Sequence, residues 1–297
     1  MNYYNEIKKK LINNEVTKKV KTYSINKSDL DTYYNVGKLL SEAGNKYGDN
    51  IIGEYSKRLI SEVGKKYDRS TLFKIRKYYE IFSNEKVAPL VPHLTWSQCL
   101  LLIPLKDINK INYYINRVAI NHLSKRQLAE IIKSKEYERL PEETKNKLIT
   151  NNELEVSDLI KDPIVIRKSN NYEEISEKVL QKSIMEDIPS FLKELGEGFT
   201  FIDNEYKIKI GNHYNYIDML LFNIKYNCYV VVELKVTELR KEHIGQIEIY
   251  MNYIDKNIKT INQDKTIGLI VCRENNKYII EYSSDKRIIA REYELVY

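Results

Sequence analysis

The sequence predicts an all-helical N-terminal domain followed by a mixed α/β domain, and three observations carry that division. Apolar residues recur at intervals of three and four through the first half. Past about residue 160 the pattern changes to short β-branched runs separated by turn residues. Between the two lies "NNELEVSDLIKDPIVIRKSNN", a polar stretch interrupted by Pro163, which places the junction between residues 150 and 171. The expected domains are residues 1–155 and 165–297.

In the first half, "DLDTYYNVGKLL" and "NIIGEYSKRLISEV" have helical spacing, with Ile51, Tyr55, Leu59 and Val63 forming one stripe. Gly64 separates them from "KKYDRSTLFKIRKYYEIF", where Leu72, Ile75, Tyr79 and Phe82 line one face and Asp68 or Ser70 can cap the start. Thr95 with Gln98 and Ser124 with Gln127 match capping boxes, so each pair opens a further helix. Trp96 has an apolar setting in "TWSQCLLL" and is assigned to the core. Residues 50–83 have the pattern of a helix–turn–helix-like pair. Arg69, Lys74 and Lys77 fall on or beside the polar face of its second helix, where they could contact phosphates.

In the second half, "YEEISEKVLQKSIMEDIPSFLKELG" places Ile175, Val179, Ile188, Leu192 and Leu195 at helical spacing. Pro189 lacks a backbone donor and should break or restart this helix, and Gly196 should end it. Strands follow as "FTFID", "YKIKI", "YIDMLLFN" and "CYVVVELKV", with turns at "GN" and near "KYN". A helix, "KEHIGQIEIYMNYIDKN", precedes the last two expected strands, "TIGLIVC" and "YIIEY".

Composition narrows the class. With 42% hydrophobic and 30% charged residues, 10 Gly and 6 Pro, the chain is globular, and long disordered linkers are not expected. The 25 tyrosines accompany abundant Asn, Lys and Ile, a bias that AT-rich coding produces, so they carry no role as a class. Cys99, Cys228 and Cys272 have neither metal-ligand nor disulfide spacing, which suits a reducing cytosol. The opening "MNYYNEIKKKLINNEV" lacks the apolar core of a signal peptide, and no run approaches a membrane span. A soluble, cytoplasmic protein without membrane contact is expected. Residues 1–150 hold 28 Lys+Arg against 17 Asp+Glu, a balance of +11; the remainder holds 20 against 25, or −5, and the two sum to the chain's +6. A basic half suggests a polyanionic partner, and an acidic half suggests carboxylate chemistry.

The strand "VVVELKV" at 230–236 carries that chemistry. Alternation puts Tyr229, Val231, Glu233 and Lys235 on one side and Val230, Val232, Leu234 and Val236 on the other. The aliphatic side is core, so Glu233 and Lys235 emerge together near the strand's end. A hairpin joins this strand to "YIDMLLF", whose single acid, Asp218, can lie close to Glu233. Two adjacent carboxylates repel, and a divalent cation such as Mg²⁺ or Mn²⁺ would remove the conflict. Lys235 could then orient or deprotonate an attacking water, or stabilise charge on a phosphate. His213 and His243 are near in sequence but lack ligand spacing and are expected in solvated loops.

Asp218 followed by Glu233-x-Lys235 resembles the PD-(D/E)XK nuclease superfamily. The blocks "FLKELGEGFTFID", "YIDMLLF", "CYVVVELK", "GQIEIYMNYID" and "IGLIVC" look like successive segments of its YhcG-like family. "YYNVGKLLSEA", "RSTLFKIRKYYEIF", "LTWSQCLLL" and "LSKRQLAEII" look like that family's helical N-terminal domain, so the resemblance spans nearly the whole chain. It implies a restriction-endonuclease-like fold for the second domain and a Mg²⁺- or Mn²⁺-dependent nuclease acting on nucleic acid, with DNA favoured. It further implies that Asp218, Glu233 and the Leu234 carbonyl hold the metal while Lys235 serves as base or stabiliser. Gln246 and Tyr250 match a Gln-x-x-x-Tyr pattern on the following helix, and a first-helix carboxylate is expected at Glu186, with Glu177 as the alternative. Two departures stand out: Glu205 replaces the family's usual Gln, and Ile217 replaces the superfamily's namesake proline. The other class left open is a catalytically silent DNA-binding or assembly module with a nuclease-like fold. The oligomeric state is open too, a homo-oligomer among the options.

Overall fold

A computed structural model describes residues 3–20, 25–167 and 175–296, with the side chains of 15–20 and 25–28 outside that description. Helices α1 (Tyr3–Val20), α2 (Ile25–Tyr47), α3 (Asn50–Glu62), α4 (Arg69–Phe82), α5 (Trp96–Leu102), α6 (Ile108–Asn121) and α7 (Lys125–Lys133) form the first compact unit, Met1–Tyr137. Sequence logic holds locally. Asp68 accepts the Thr71 amide at 2.7 Å, and both expected capping boxes are present. Each of two stripes exchanges one member for its neighbour. Ile52 rather than Ile51 is fully buried in α3, and Tyr78 rather than Tyr79 in α4. Trp96 is half-buried and packs tilted against Tyr33 and edge-on to Tyr78, at ring separations of 4.6 and 5.4 Å.

The second compact unit is Glu138–Tyr297. It begins with α8 (Glu142–Thr150), which the sequence pattern placed with the first half, and α9 (Val156–Leu159), which falls in the expected junction. The reason is side-chain bonding. Thr144 and Lys147 on α8 reach the buried Asp158 at 2.9 and 2.7 Å, and Tyr226 donates to the Leu154 carbonyl at 2.6 Å. Strand β1 (Ile164–Arg167) comes from the supposed linker, where four residues are too few to show alternation. Then come α10 (Glu177–Glu186), α11 (Ile188–Leu195), β2 (Phe199–Ile210), β3 (His213–Asn223), β4 (Cys228–Glu238), α12 (Lys241–Asn257), β5 (Asp264–Glu274), α13 (Lys277–Glu281) and β6 (Ile288–Val296). As expected, Pro189 sits in the first turn of a restarted helix and Gly196 ends it at φ 129°. The expected helical residues 172–174 lie outside the described ones.

"YIIEY" proves to be the short α13, and the last strand is "IIAREYELV". A brief apolar run does not separate helix from strand by itself; parallel pairing of Gly268 with Ile288 selects the later segment.

The six strands form one sheet in the order β1-β6-β5-β4-β3-β2, parallel from β1 to β4 and antiparallel from β4 to β2. Both faces are covered. Leu180, Ile184, Phe191 and Leu195 of α10 and α11 pack on Met219, Val230, Val232 and Leu234. Ile247, Met251 and Ile254 of α12 pack on Leu220, Val231 and Ile270. The expectation of a single core face on β4 is therefore corrected, because a strand flanked by β3 and β5 and covered on both sides has no solvent face. Gly268 lets α12 approach: a Cβ there would stand 2.5 Å from Met251 Sδ. All three cysteines are free and buried, and no helix among the described residues is long and apolar enough to cross a membrane.

Candidate active site

Pairing of β3 with β4 runs from Asn223–Cys228 to Met219–Val232 and stops there. Beyond that point β3 continues with β2, while β4 continues with β5. Asp218 and Glu233 are the next residues at this fork. With the ladder ended, the Leu234 amide donates instead to Asp218 Oδ2, at 2.8 Å. The main chain thus locks one carboxylate beside the other.

Glu233 is only 2% exposed, and its Oε1 is buried with no hydrogen-bond partner among the described residues. Its Oε2 accepts from Lys235 Nζ at 3.3 Å. Burial, with Asp218 adding repulsion, pushes the Glu233 carboxyl up to about 8 despite that ammonium. Burial likewise raises Asp218, against the opposing pull of the Leu234 amide and Lys235. For Lys235, burial acts to lower its value, but Glu233, Glu177 and Asp218 outweigh it and hold the ammonium above its ordinary range. Burying charges without full compensation costs several kcal/mol, so this cluster is a local instability embedded in a well-packed sheet.

Helix α10 completes the cluster differently from expectation. Glu177 Oε1 lies 3.5 Å from Lys235 Nζ, and one turn later Gln181 donates to the Asp218 carbonyl at 3.0 Å. Glu186 is exposed at the far end of the same helix, nine residues and about 13 Å along the axis from Glu177. The first-helix carboxylate that reaches the cluster is therefore Glu177, not Glu186. Gln181 was missed, although its i, i+4 spacing from Glu177 would have flagged a shared face.

Gln246 and Tyr250 lie on α12, which covers the face of β4 carrying Val231 and, by alternation, Glu233. Tyr250 is buried in that cluster and Gln246 Nε2 donates to its hydroxyl at 3.2 Å. His243 accepts the Arg240 amide at 3.1 Å, capping α12; burial first and Lys235 second depress its basicity. It is half-buried rather than in a solvated loop, and His213 is exposed at the β2–β3 turn. Glu205 lies between the paired Asn204 and Tyr206 of β2 in a left-handed conformation at φ 50°, and its charge adds to the rise of the Asp218 carboxyl.

In the first unit, Arg69 and Lys74 are exposed, with the Arg69 guanidinium 5.4 Å from the Phe73 ring centre. Lys77 is also exposed but pairs with Glu80 at 2.7 Å.

The donor set suits a hard divalent cation. Among the described residues no three His, Cys, Asp or Glu side chains converge to hold an ion. Mg²⁺ commonly uses only one or two carboxylates, with water and substrate oxygens completing its shell. Asp218 and Glu233 supply two, and the orphaned Oε1 is the atom such an ion would satisfy.

Family models match both halves of the chain. Residues 157–296 match the YhcG PDDEXK nuclease domain, and residues 6–139 match the DUF1016 N-terminal domain. The chain is 22% identical to YhcG of Escherichia coli (strain K12), across 92% of this chain and 84% of that protein. Among solved structures, a repair endonuclease from Pyrococcus abyssi aligns at 20% identity over 43% of this chain and 49% of its own, with a TM-score of 0.29. An EndoMS–dsDNA complex aligns at 21% identity over 43% and 48%, also at 0.29. These alignments span about half of each solved chain.

Proposed function

The chain belongs to the YhcG-like family of PD-(D/E)XK nucleases, and from that premise we propose that it hydrolyses phosphodiester bonds in DNA with Mg²⁺ or Mn²⁺ as cofactor. The observation that carries the reading is the buried Glu233, with an unsatisfied Oε1, beside the main-chain-locked Asp218. A fold retains so costly a pair of acids when something positively charged is to be held there. The Asp218 and Glu233 carboxylates and the Leu234 carbonyl are the proposed ligands. Bound there, the cation would supply Lewis acidity toward the phosphate and lower the pKa of water.

The remaining roles fall to the chain's own groups. Lys235, held between Glu233 and Glu177, orients the attacking water and stabilises charge developing on the phosphate. Gln181 fixes the Asp218 main chain. Gln246 and Tyr250 support the site from α12. Arg69, Lys74 and Lys77 are proposed phosphate contacts of the N-terminal domain. The proposed functional division follows the expected two domains, with the boundary moved from 155 to the compact units Met1–Tyr137 and Glu138–Tyr297, the first positioning nucleic acid and the second cutting it.

A cleavage screen over linear, circular, branched and RNA substrates with Mg²⁺ or Mn²⁺ tests this reading. Equal cutting by the wild type and a Glu233→Ala/Lys235→Ala variant would refute the site. Calorimetry with Mn²⁺ separates a nuclease from a catalytically silent binding module, which would show no uptake dependent on Asp218.

A further inference from the structure

Among the described residues the β2–β3 ribbon continues past the fork with no third strand paired to it: β3 pairs with β4 only over Met219–Asn223, whereas β2 and β3 stay paired out to Ile210–His213. One ribbon face is anchored, since Ile208 and Ile217 are buried and Tyr206 and Ile210 pack against the same core. The opposite face follows from the register: Lys207 pairs with Tyr216, and Lys209 pairs with Tyr214. Alternation puts these four on one side, opposite Ile208 and Tyr206. Both lysines are exposed, and Tyr214 and Tyr216 are 57% and 53% exposed. Lys207 Nζ lies 3.9 Å from the Tyr214 ring centre and Lys209 Nζ 5.9 Å, so charge and ring are presented together.

We propose that this ribbon face is a binding track for an unpaired nucleic-acid strand leading away from the scissile phosphate, its bases on Tyr214 and Tyr216 and its phosphates on Lys207 and Lys209. The proposal rests on the nuclease reading of the Asp218 site. Packing does not account for the face: two large aromatics lie in water on a ribbon already anchored by its other side. Exposed rings beside ammonium groups suit single strands, because unpaired bases offer faces to stack on and the backbone offers charge. A duplex keeps its base faces hidden from the rings. The track also begins at the reaction centre. Tyr216 and Tyr214 follow Asp218 along β3 at about 7 and about 14 Å, the scale of one and two nucleotides of an extended strand.

The test measures fluorescence anisotropy of labelled duplexes, blunt or single-stranded-tailed, with the full chain in EDTA, so that binding is read apart from cleavage. Wild type should prefer the tailed duplex. Tyr214→Ala/Tyr216→Ala should lose at least tenfold on the tailed substrate and little on the blunt one, while Tyr214→Phe/Tyr216→Phe keeps the preference. Lys207→Ala/Lys209→Ala should lower the slope of log affinity against log salt by about 1.4. Unchanged binding by the alanine variants, with wild type still cutting DNA, would overturn the track and leave the nuclease reading intact. Equal losses on blunt and tailed DNA would overturn the assignment to an unpaired strand. A wild type that neither binds nor cuts any nucleic acid would bring down both.

Discussion

Glu233→Gln should stabilise the metal-free protein, and by an amount that grows with pH. The substitution keeps shape and removes the ability to ionise. The wild-type carboxyl is raised from an ordinary 4.5 to about 8 in the fold. A group raised in this way contributes stability that is fully present below its unfolded value and is lost as pH climbs through its folded value. Between pH 5 and pH 8 the unfolded chain has largely released this proton while the native state largely keeps it. At about 1.4 kcal/mol per unit, the wild type should lose about 4 kcal/mol relative to the variant across that interval. For a unit of this size, 1 kcal/mol moves a melting midpoint by about 2–4 °C. The gap between variant and wild type should therefore widen by roughly 10 °C from pH 5 to pH 8, read by scanning calorimetry in EDTA. Saturating Mn²⁺ should raise the wild-type midpoint and leave the variant's nearly unchanged. A gap that stays constant with pH, or widens on acidification, would refute the assignment of Glu233 as a buried, uncompensated acid.

Other consequences are as direct. Glu177→Gln should reduce kcat through its contact with Lys235 while Glu186→Gln leaves turnover near wild type; the opposite ranking would restore the assignment made from sequence. Gly268→Ala should cost about 1–3 kcal/mol in urea denaturation, because the added methyl meets Met251 and α12 must retreat. Asp68→Ala should cost about 1 kcal/mol in the first unit by removing the cap on Thr71, with no change in Mn²⁺ uptake.

Much of this molecule is legible along the chain because local rules govern it. Capping boxes at Thr95 and Ser124, the restart at Pro189 and the stop at Gly196 each depend on a few adjacent residues. Where reading failed, the deciding partner was remote. Ile164–Arg167 becomes a strand through pairing with residues 293–296, and "YIIEY" loses strand status to a segment that fits beside β5.

The site divides in the same way. Asp218, Glu233 and Lys235 were singled out from sequence by their types and spacing, together with the family resemblance, and the structure brings the three side chains together. Only tertiary structure decided that β4 is covered on both faces, that its ladder with β3 ends where Asp218 takes the Leu234 amide, and that Glu177 rather than Glu186 approaches Lys235. Burial and helix docking arise from contacts between residues far apart in the chain. They determine whether the same three side chains form a solvated ion pair or a buried, incompletely compensated cluster.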